Sequence, residues 1–228
     1  RYSNAIFVTY EPDLKRLKER RFSKQPQHVV VGGIEFDKTT PYLDRTTYDY
    51  DAIFVGRYHP QKGIFQLLDI WNRVVREKGN AKLAILGNGD DAMEAQVKSY
   101  IANHNLENNI YLLGFKDGDE KYRIFQRTKI YLNTNLYDAG GMATMEAMSC
   151  GLPVVSFDFP ASRSMIGNGA LWARYLDTED FAHKVMALLN NPAEASLLGD
   201  RARQHMKRYD WQATASRLTG YFVNAKIT

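Results

Sequence analysis

The sequence predicts an α/β fold, a Rossmann-like doubly wound parallel sheet flanked by helices. Short apolar runs alternate with helical stretches through most of the 228 residues, as in sheets whose parallel strands are joined by helices. Glycine-containing loops follow several of these runs, at the place where open α/β sheets bind ligands. We therefore expect the functional residues in the loops that follow the strands.

The type of each element follows from its length and its neighbours. A short apolar run bounded by glycine or polar residues is typical of a buried strand, and a longer stretch with one apolar face is typical of a helix. Pro12 stands in the first turn of the first predicted helix, where a missing N–H is tolerated. The predicted strands are 5–9, 28–31, 52–55, 83–86, 109–113, 130–133, 153–157 and 171–175. The predicted helices are 12–19, a helix from 64, 92–103, 120–126, 178–190, 192–208 and 211–225, and 32–37 is predicted as a loop.

The composition is that of an ordinary globular protein, with 44% hydrophobic and 25% charged residues. No apolar run approaches the roughly 18 residues of a membrane span, and the first residues lack a signal-peptide pattern, so we expect a cytoplasmic protein. The one cysteine, Cys150, favours a reducing compartment and a buried structural thiol over a nucleophile. Five dispersed histidines show no metal-ligand spacing, so no metal site is predicted.

The net charge of +4 is concentrated near the start of the chain. Residues 1–24 hold seven Lys or Arg against three acids, and the remaining charges cancel. Two interpretations of this segment are open. One is a solvated helix face, and the other is peripheral contact of residues 13–24 with anionic lipid at the inner face of a membrane. Nucleic acid is not expected as a partner, because no basic patch is interleaved with aromatic residues elsewhere.

The most informative stretch runs from Asp138 to residue 155. Asp138 precedes Gly140 and Gly141, and Glu146 follows eight positions after Asp138. The glycines let backbone N–H groups approach a ligand, and the helix that begins there points its positive end at the same place, which suits a phosphate. The two acids on either side could accept hydrogen bonds from sugar hydroxyls. This pattern predicts a nucleotide-sugar site.

A second element is the basic loop 56–63, which follows the predicted strand 52–55. It contains Gly56, Arg57, Lys62 and Gly63, and a helix with a broad apolar face follows. A strand, a basic glycine loop and a helix commonly place cations over a ligand at the carboxyl edge of a sheet. Taken alone, two cations in such a loop are usually solvated loop residues, and it is the pairing with the first element that favours a binding role.

Together these two elements resemble the signature of retaining glycosyltransferases of family 4 (glycosyl transferases group 1), which have the GT-B fold. The resemblance rests on the acid-x7-acid element, on the Glu-Ala-Met-x-x-Gly-x-Pro-Val-Val run that starts at Glu146, and on the Gly-Arg-x4-Lys-Gly spacing of the basic loop. It covers roughly residues 28–225. Asp138 departs from the family, which usually has Glu there, and Gly140 stands where an aromatic residue is common.

The resemblance implies a role for each residue. Arg57 and Lys62 would neutralise the departing diphosphate, Asp138 would hold a hydroxyl of the donor sugar, and Glu146 would accept from the ribose hydroxyls. Backbone N–H groups at Gly141 and Met142 would bind the phosphates. The implied catalytic residues are Arg57, Lys62 and Asp138. The implied donor-binding residues are Gly56, Gly87, Gly89, Gly114, Phe115, Lys116, Gly140, Gly141, Met142 and Glu146, although residues 114–116, expected to frame the base, also read as a plain β-turn.

The function implied is that of the donor-binding domain of a retaining glycosyltransferase. It would move a hexose from a UDP- or GDP-sugar to a glycan or lipid-linked acceptor, without a metal or other cofactor, in a setting such as polysaccharide biosynthesis. Residues 1–45 would be the end of a preceding domain and the interdomain segment, 46–210 the nucleotide-sugar domain, and 211–228 a helix that packs back toward a missing acceptor domain. The fragment alone is expected to be inactive.

Three alternatives compete with this interpretation. One is a non-catalytic nucleotide-sugar-binding module that keeps the fold, which the departures at Asp138 and Gly140 would favour. A second is an epimerase or a phosphorylase of the GT-B type. A generic dinucleotide enzyme is disfavoured, because no Gly-x-Gly-x-x-Gly follows the first strand of the sheet and the loop 87–89 lacks a third glycine.

Overall fold

The described residues form a two-stranded and a six-stranded parallel sheet with helices around them. The computed structural model describes residues 6–8, 11–19, 27–29, 32–137 and 141–224. The strands are β1 (Ile6–Val8), β2 (Gln27–Val29), β3 (Tyr50–Val55), β4 (Leu83–Leu86), β5 (Ile110–Gly114), β6 (Thr128–Asn133), β7 (Val154–Phe157) and β8 (Ala170–Ala173). The helices are α1 (Glu11–Glu19), α2 (Phe36–Thr39), α3 (Ile64–Glu77), α4 (Asp91–Asn103), α5 (Gly118–Gln126), α6 (Met142–Ser149), α7 (Pro160–Ile166), α8 (Thr178–Asn190), α9 (Pro192–Met206) and α10 (Trp211–Asn224).

The larger sheet has the strand order β5-β4-β3-β6-β7-β8, and all its neighbouring strands are parallel. From β3 the chain builds outward through β4 to β5, crosses back to β6, and builds outward in the other direction. The order therefore reverses between β3 and β6, which is the topological switch point where doubly wound sheets open a crevice for ligands. The predicted Rossmann-like α/β fold is confirmed.

Both faces of this sheet are covered, which explains the nearly continuous apolar runs of its strands. Within β3, Ala52 and Phe54 belong to the core cluster on one face, and Ile53 belongs to the cluster on the other. Helices α3, α4 and α8 contribute to the first cluster, and α5, α6, α7 and α9 to the second. The fully buried Trp71 of α3 donates its indole N–H to the carbonyl of Asn109 at 3.1 Å, which satisfies its polar atom inside the core.

Two short helices were not predicted from the sequence. Residues 36–39 form α2 where the pattern had indicated a loop up to 37, and α7 lies in a segment without any prediction. Helix α7 has seven residues between Pro160 in its first turn and Gly167, whose φ of 60° ends it. So short a helix shows too few turns for an apolar period to be visible. The last predicted strand, 171–175, is shifted, because β8 covers residues 170–173.

The start of α10 is fixed to the segment that precedes the large sheet. Ile34 donates its N–H to the carbonyl of Tyr209 at 2.8 Å, and the N–H of Trp211 donates to Ile34 at 2.9 Å. Near the other end of α10, the ring of Phe222 lies 5.4 Å from that of Phe7 in β1. The helix thus connects the small sheet with the large one. The domain boundaries predicted at residues 45 and 210 stay a prediction.

The basic segment is described only in part. Lys15, Arg16 and Lys18 of α1 are exposed, and Lys15 and Arg16 form ion pairs with acids of the same helix at 3.9 and 3.5 Å. Residues 20–26 lie outside the described residues. Among the helices that the structure describes, each is too short or too polar to cross a lipid bilayer.

Candidate active site

The loop after β3 is hydrogen-bonded to the loop after β4. The backbone N–H of Gly56 donates to the carbonyl of Leu86, and that of Tyr58 donates to the carbonyl of Asn88, both at 2.9 Å. Gly87 has a φ of 131°, and a Cβ at that position would lie 2.1 Å from the carbonyl oxygen of Gly56. Glycine is therefore required at position 87 by backbone packing alone.

The same loop, which connects β3 to α3, is also hydrogen-bonded to the loop after β6. A 3-10 turn, Pro60–Lys62, ends at Gly63, whose φ is 67°, and a Cβ there would lie 2.0 Å from the carbonyl oxygen of Thr134. The Thr134 hydroxyl donates to the carbonyl of Lys62 at 2.9 Å. The Leu136 N–H donates to Gln61 at 2.9 Å, so the loops on either side of the switch point form one hydrogen-bonded unit.

A cleft of about 330 Å³ opens between these loops and the first turn of α6. The residues that line it are Val55, Gly56, Lys62, Tyr131, Asn135, Gly141, Met142, Ala143 and Thr144. Residues predicted from both sequence elements meet here, although they are about eighty positions apart in the chain. The predicted site residues Asp138 and Gly140 lie outside the described residues.

One wall of the cleft is the N-terminal end of α6. Gly141 occupies the N-cap position, no side chain among the described residues caps the helix, and its first turn contains no acid. The first backbone N–H groups of a helix lack intrahelical acceptors and carry the positive end of the helix dipole. An anion in the cleft would meet these donors.

The cation of the opposite wall is Lys62. Its side chain is half-buried and lines the cleft together with Gly56. Arg57 belongs to the same loop but is exposed, and it makes no hydrogen bond or ion pair with the part of the chain that the structure describes. The structure therefore places Lys62 and the first turn of α6 around the same cleft, whereas Arg57 does not line it.

Glu146 lies in the second turn of α6 with 18% of its side chain exposed, and both of its carboxylate oxygens contact Lys121 of α5. The Nζ–Oε1 and Nζ–Oε2 distances are 3.0 and 2.9 Å. Lys121 also donates to Asp117 at 2.9 Å. Burial lowers the pKa of Lys121, but the hydrogen bonds to Glu146 and Asp117 outweigh burial and hold that pKa above its ordinary value.

Gly89 lies in the loop after β4, where a Cβ would stand 3.0 Å from side-chain atoms of Met93 and Tyr58. The end of β5 and the loop after it carry three further predicted residues. Gly114 has a φ of 68°, and its carbonyl accepts the N–H of Gly87 at 2.8 Å, which ties this loop to that of β4. The Phe115 ring is 72% exposed. Lys116 forms an ion pair with Glu120 at 3.1 Å within the same turn. An exposed ring at this edge of the sheet offers a surface for a planar base.

A larger cavity, of about 490 Å³, lies at the opposite edge of the sheet. Arg45 lines it and donates to the carbonyls of Gly151, Thr128 and Lys129, which stand where β6 and β7 begin. Ligands of open α/β sheets bind at the carboxyl ends of the strands, which is the other edge. The Arg45 guanidinium therefore serves to hydrogen-bond backbone carbonyls at the beginning of β6 and just before β7.

The sequence profile of one family, described as glycosyl transferases group 1, matches residues 35–205. The chain belongs to this family. The match covers most of the large sheet and both loops of the cleft, and it confirms the resemblance found in the motifs.

Curated relatives of this glycosyl transferases group 1 chain carry transferase names. A poly(glycerol-phosphate) alpha-glucosyltransferase of Bacillus subtilis is 27% identical over 210 residues, which is 90% of this chain and 30% of that protein. A poly(ribitol-phosphate) alpha-N-acetylglucosaminyltransferase of Staphylococcus aureus is 27% identical over 173 residues, 74% of this chain and 34% of that one. A phosphatidyl-myo-inositol mannosyltransferase of Mycobacterium leprae is 30% identical over 171 residues, 73% and 44%. The chain thus spans less than half the length of these curated relatives.

Several solved structures share the fold of this chain. TarM of S. aureus, in a complex that includes UDP, superimposes with a TM-score of 0.82 at 20% identity, over 99% of this chain and 44% of that one. Anabaena HepE in complex with UDP gives a TM-score of 0.85 at 13% identity, over 98% of this chain and 65% of that one. The fold is that of one half of a GT-B enzyme.

Within this family member, sequence reasoning missed six residues near the site, of which Val55, Ala143 and Thr144 line the cleft as parts of β3 and of the first turn of α6. Tyr131 and Asn135 line the cleft because they stand at the end of β6, beside the switch point. Lys121 holds Glu146 from a different helix. A lysine among the buried positions of α5, four residues after an aspartate, was the one local signal that could have pointed to Lys121. No group of three or more potential metal-ligating side chains occurs among the described residues.

Proposed function

We propose that this chain is the donor-binding part of a retaining glycosyltransferase that moves a hexose from a nucleoside-diphosphate sugar to a glycan or lipid-linked acceptor. One observation carries the proposal. At the switch point of the sheet, the half-buried Lys62 and the N-terminus of α6, which no described side chain caps, line one cleft. Such a cleft is complementary to a diphosphate, because both walls are positive.

The chemistry follows from where negative charge develops. Cleavage of the anomeric C–O bond leaves an oxocarbenium-like sugar and gives the diphosphate one more negative charge. Lys62, the first turn of α6 and Arg57 stabilise this leaving group as the charge appears. Removal of one such group costs on the order of 3 kcal/mol in the transition state, by analogy with oxyanion donors.

The sugar and ribose hydroxyls are recognised by acids. Glu146 stands one turn beyond the phosphate-binding end of α6 and accepts hydrogen bonds from the ribose hydroxyls. By the family resemblance, Asp138 holds a hydroxyl of the donor sugar and Gly140 belongs to the donor-binding residues. The glycines at 87 and 89 shape the loops beneath the donor, and Gly114, Phe115 and Lys116 frame the base.

The cations of the chain take the place of a metal ion in this proposal. We infer retention of the anomeric configuration from the family resemblance. Two of the relatives are named as alpha-glycosyl transferases, and a retaining enzyme that acts on an alpha-linked donor yields alpha-linked products.

UDP is the preferred nucleoside diphosphate in this proposal, and GDP is the second. The solved structures of TarM, of the pneumococcal O-GlcNAc transferase GtfA and of HepE are each complexes that contain UDP. The relatives named above supply the acceptor classes, which are polyol-phosphate polymers and an inositol lipid. All of these relatives are transferases, so the epimerase and phosphorylase alternatives gain no support from them.

Acceptors of this kind place the reaction near a membrane. We propose a cytoplasmic site of action with peripheral contact through residues 13–24, which the exposed cations of α1 support. A vesicle flotation assay with anionic and neutral lipid checks this, and equal flotation with both would contradict it.

Calorimetric titration of the 228-residue chain with UDP, GDP and ADP, in the presence of a chelator, tests the proposal. We expect UDP to bind with the highest affinity and chelator to make no difference. A folded chain that binds none of the three would contradict donor binding. Binding that requires a divalent cation would contradict the metal-independent mechanism.

A further inference from the structure

Lys121 is the buried centre of a three-residue charge cluster beside the cleft. Its side chain is 9% exposed, and its Nζ lies within 3.0 Å of both oxygens of Glu146 and 2.9 Å from Asp117. An ammonium has three N–H donors and no acceptor. Three short contacts therefore use its full donor capacity, so Lys121 has no donor left for a ligand.

The contact restricts Glu146 to one orientation. Because one nitrogen contacts both oxygens, the carboxylate turns the edge between its oxygens toward Lys121, and each oxygen keeps one outward lone pair. A carboxylate accepts up to about four hydrogen bonds. The lone pairs left on Oε1 and Oε2 point to opposite sides of the carboxylate, so each oxygen can still accept a hydrogen bond from a ligand hydroxyl.

The same contact joins two elements of the site. Lys121 belongs to α5, which directly follows the loop 114–116, and Glu146 belongs to α6, whose first turn lines the cleft. The aromatic ring of Tyr122 lies 5.4 Å from the Lys121 ammonium and adds to its fixed placement. The element expected to frame the base and the helix expected to hold the phosphates are thus connected through one ammonium.

We propose that Lys121 is a positioning residue for ribose recognition, which acts by orienting Glu146 so that its remaining lone pairs accept from the ribose hydroxyls of the donor nucleotide. This inference rests on the proposed function. It adds that the preference for ribose depends on a residue that does not touch the nucleotide.

Titration with UDP and with 2′,3′-dideoxy-UDP tests this role. The wild-type chain is compared with Lys121→Met, which keeps the length of the side chain and removes its charge, and with Lys121→Arg, which keeps the charge. We expect Lys121→Met to bind UDP about tenfold more weakly, as for loss of a hydrogen bond to a charged group, and to bind dideoxy-UDP within about twofold of wild type. Lys121→Arg should keep most of the ribose preference.

Two further variants separate positioning from general stability. Lys98→Met removes a lysine from an exposed pair with Glu94 on α4 and should bind both nucleotides as wild type does. Lys121→Met combined with Glu146→Gln should bind UDP no more weakly than Glu146→Gln alone, since Lys121 acts through Glu146. If Lys121→Met does not fold, Lys121→Gln serves in its place.

The outcomes are distinct. If the wild-type chain binds UDP but Lys121→Met keeps the full ribose preference, or weakens both nucleotides equally, the positioning role is wrong and the proposed function stands. Additive losses in the double variant would also overturn the role. If the folded wild-type chain binds no nucleoside diphosphate, the proposed function fails and this inference fails with it.

Discussion

At the scale of single residues, burial decides what Cys150 can do. Its side chain is fully buried at the end of α6, as the sequence predicted for a structural thiol. Burial raises the pKa of the thiol to about 12, a shift that Glu146 reinforces and that Arg203 and Arg45 oppose. Because only the thiolate is a nucleophile, this group is inert at neutral pH.

We expect the native chain at pH 7.4 to react with a thiol reagent such as dithionitrobenzoate far more slowly than a free cysteine does. The unfolded chain in guanidinium should release one equivalent of chromophore rapidly. The measurement is the absorbance time course in both conditions. Rapid labelling of the native chain would show that position 150 is accessible.

A second residue-scale prediction concerns Lys62. Lys62→Ala should bind UDP at least about tenfold more weakly, since it removes a charged partner of the diphosphate. The fold should persist, because the contact that fixes the loop uses the Lys62 carbonyl and the Thr134 hydroxyl. Calorimetry measures the affinity and circular dichroism the fold. Lys98→Ala is the matched control, and unchanged affinity in a folded Lys62→Ala chain would remove Lys62 from the site.

At the scale of elements, glycines determine how closely the loops of the site approach each other. Gly63 combines a left-handed φ with a backbone oxygen 2.0 Å from where a Cβ would stand, so any side chain there must displace the loop after β6. This loop is also held by the Tyr175 hydroxyl, which donates to the Leu136 carbonyl at 3.0 Å. Displacement of Gly63 would therefore disturb the whole edge of the sheet.

We expect Gly63→Ala to lower the free energy of unfolding by about 2 kcal/mol or more, because the substitution adds both backbone strain and a steric clash. Its UDP affinity should also fall, since Lys62 would move with the loop. Gly79→Ala is the matched control, because nothing lies within 4 Å of its added Cβ. Denaturant unfolding of both variants makes the measurement, and equal stability of the two would refute the packing argument.

At the scale of the whole molecule, His205 joins α9 to α7 and makes stability depend on pH. Its Nε2 lies 2.9 Å from the carbonyl oxygen of Met165, and the imidazole leaves no space for a Cβ at Gly167. Burial lowers the pKa of His205, the Met165 hydrogen bond opposes this, and the charge of Arg208 adds to the lowering. Protonation therefore favours the unfolded chain, where this histidine is solvated.

The sign follows from proton linkage. Above the unfolded pKa of about 6.5 the imidazole is neutral in both states and contributes no pH dependence. As the pH falls below that value, the unfolded chain takes up more protons, so the free energy of unfolding decreases until the folded pKa is passed. The loss is about 1.4 kcal/mol for each unit by which folding lowers the pKa.

We expect denaturant unfolding between pH 7 and pH 5 to show this decrease in the wild-type chain and a smaller one in His205→Gln. The amide of glutamine keeps a donor for the Met165 carbonyl but does not titrate. His183→Gln, at an exposed position of α8, should retain the wild-type pH dependence. Identical slopes for His205→Gln and wild type would show that other groups cause the decrease.

The sequence by itself determined the type and place of most elements, because these depend on local patterns. The helix α8 was predicted with the bounds that the structure shows, and so was β4. The two signature loops could also be recognised from the sequence. Their glycines, cations and acids stand at a fixed spacing, which reflects the backbone conformation and the charge that phosphate binding requires. The short helices α2 and α7 were not predicted, because a helix of less than two turns shows no recognisable period of apolar residues.

The tertiary structure alone decided which of these elements meet. The strand order places the loops after β3 and β6 side by side, and no local pattern encodes a pairing between segments about eighty residues apart. It also decided that Glu146 faces Lys121, that Tyr131 and Asn135 line the cleft, and that Arg57 does not line it. Such contacts result from how the helices pack on the sheet, which depends on the whole chain, whereas the local spacing of residues determines only what each segment can form.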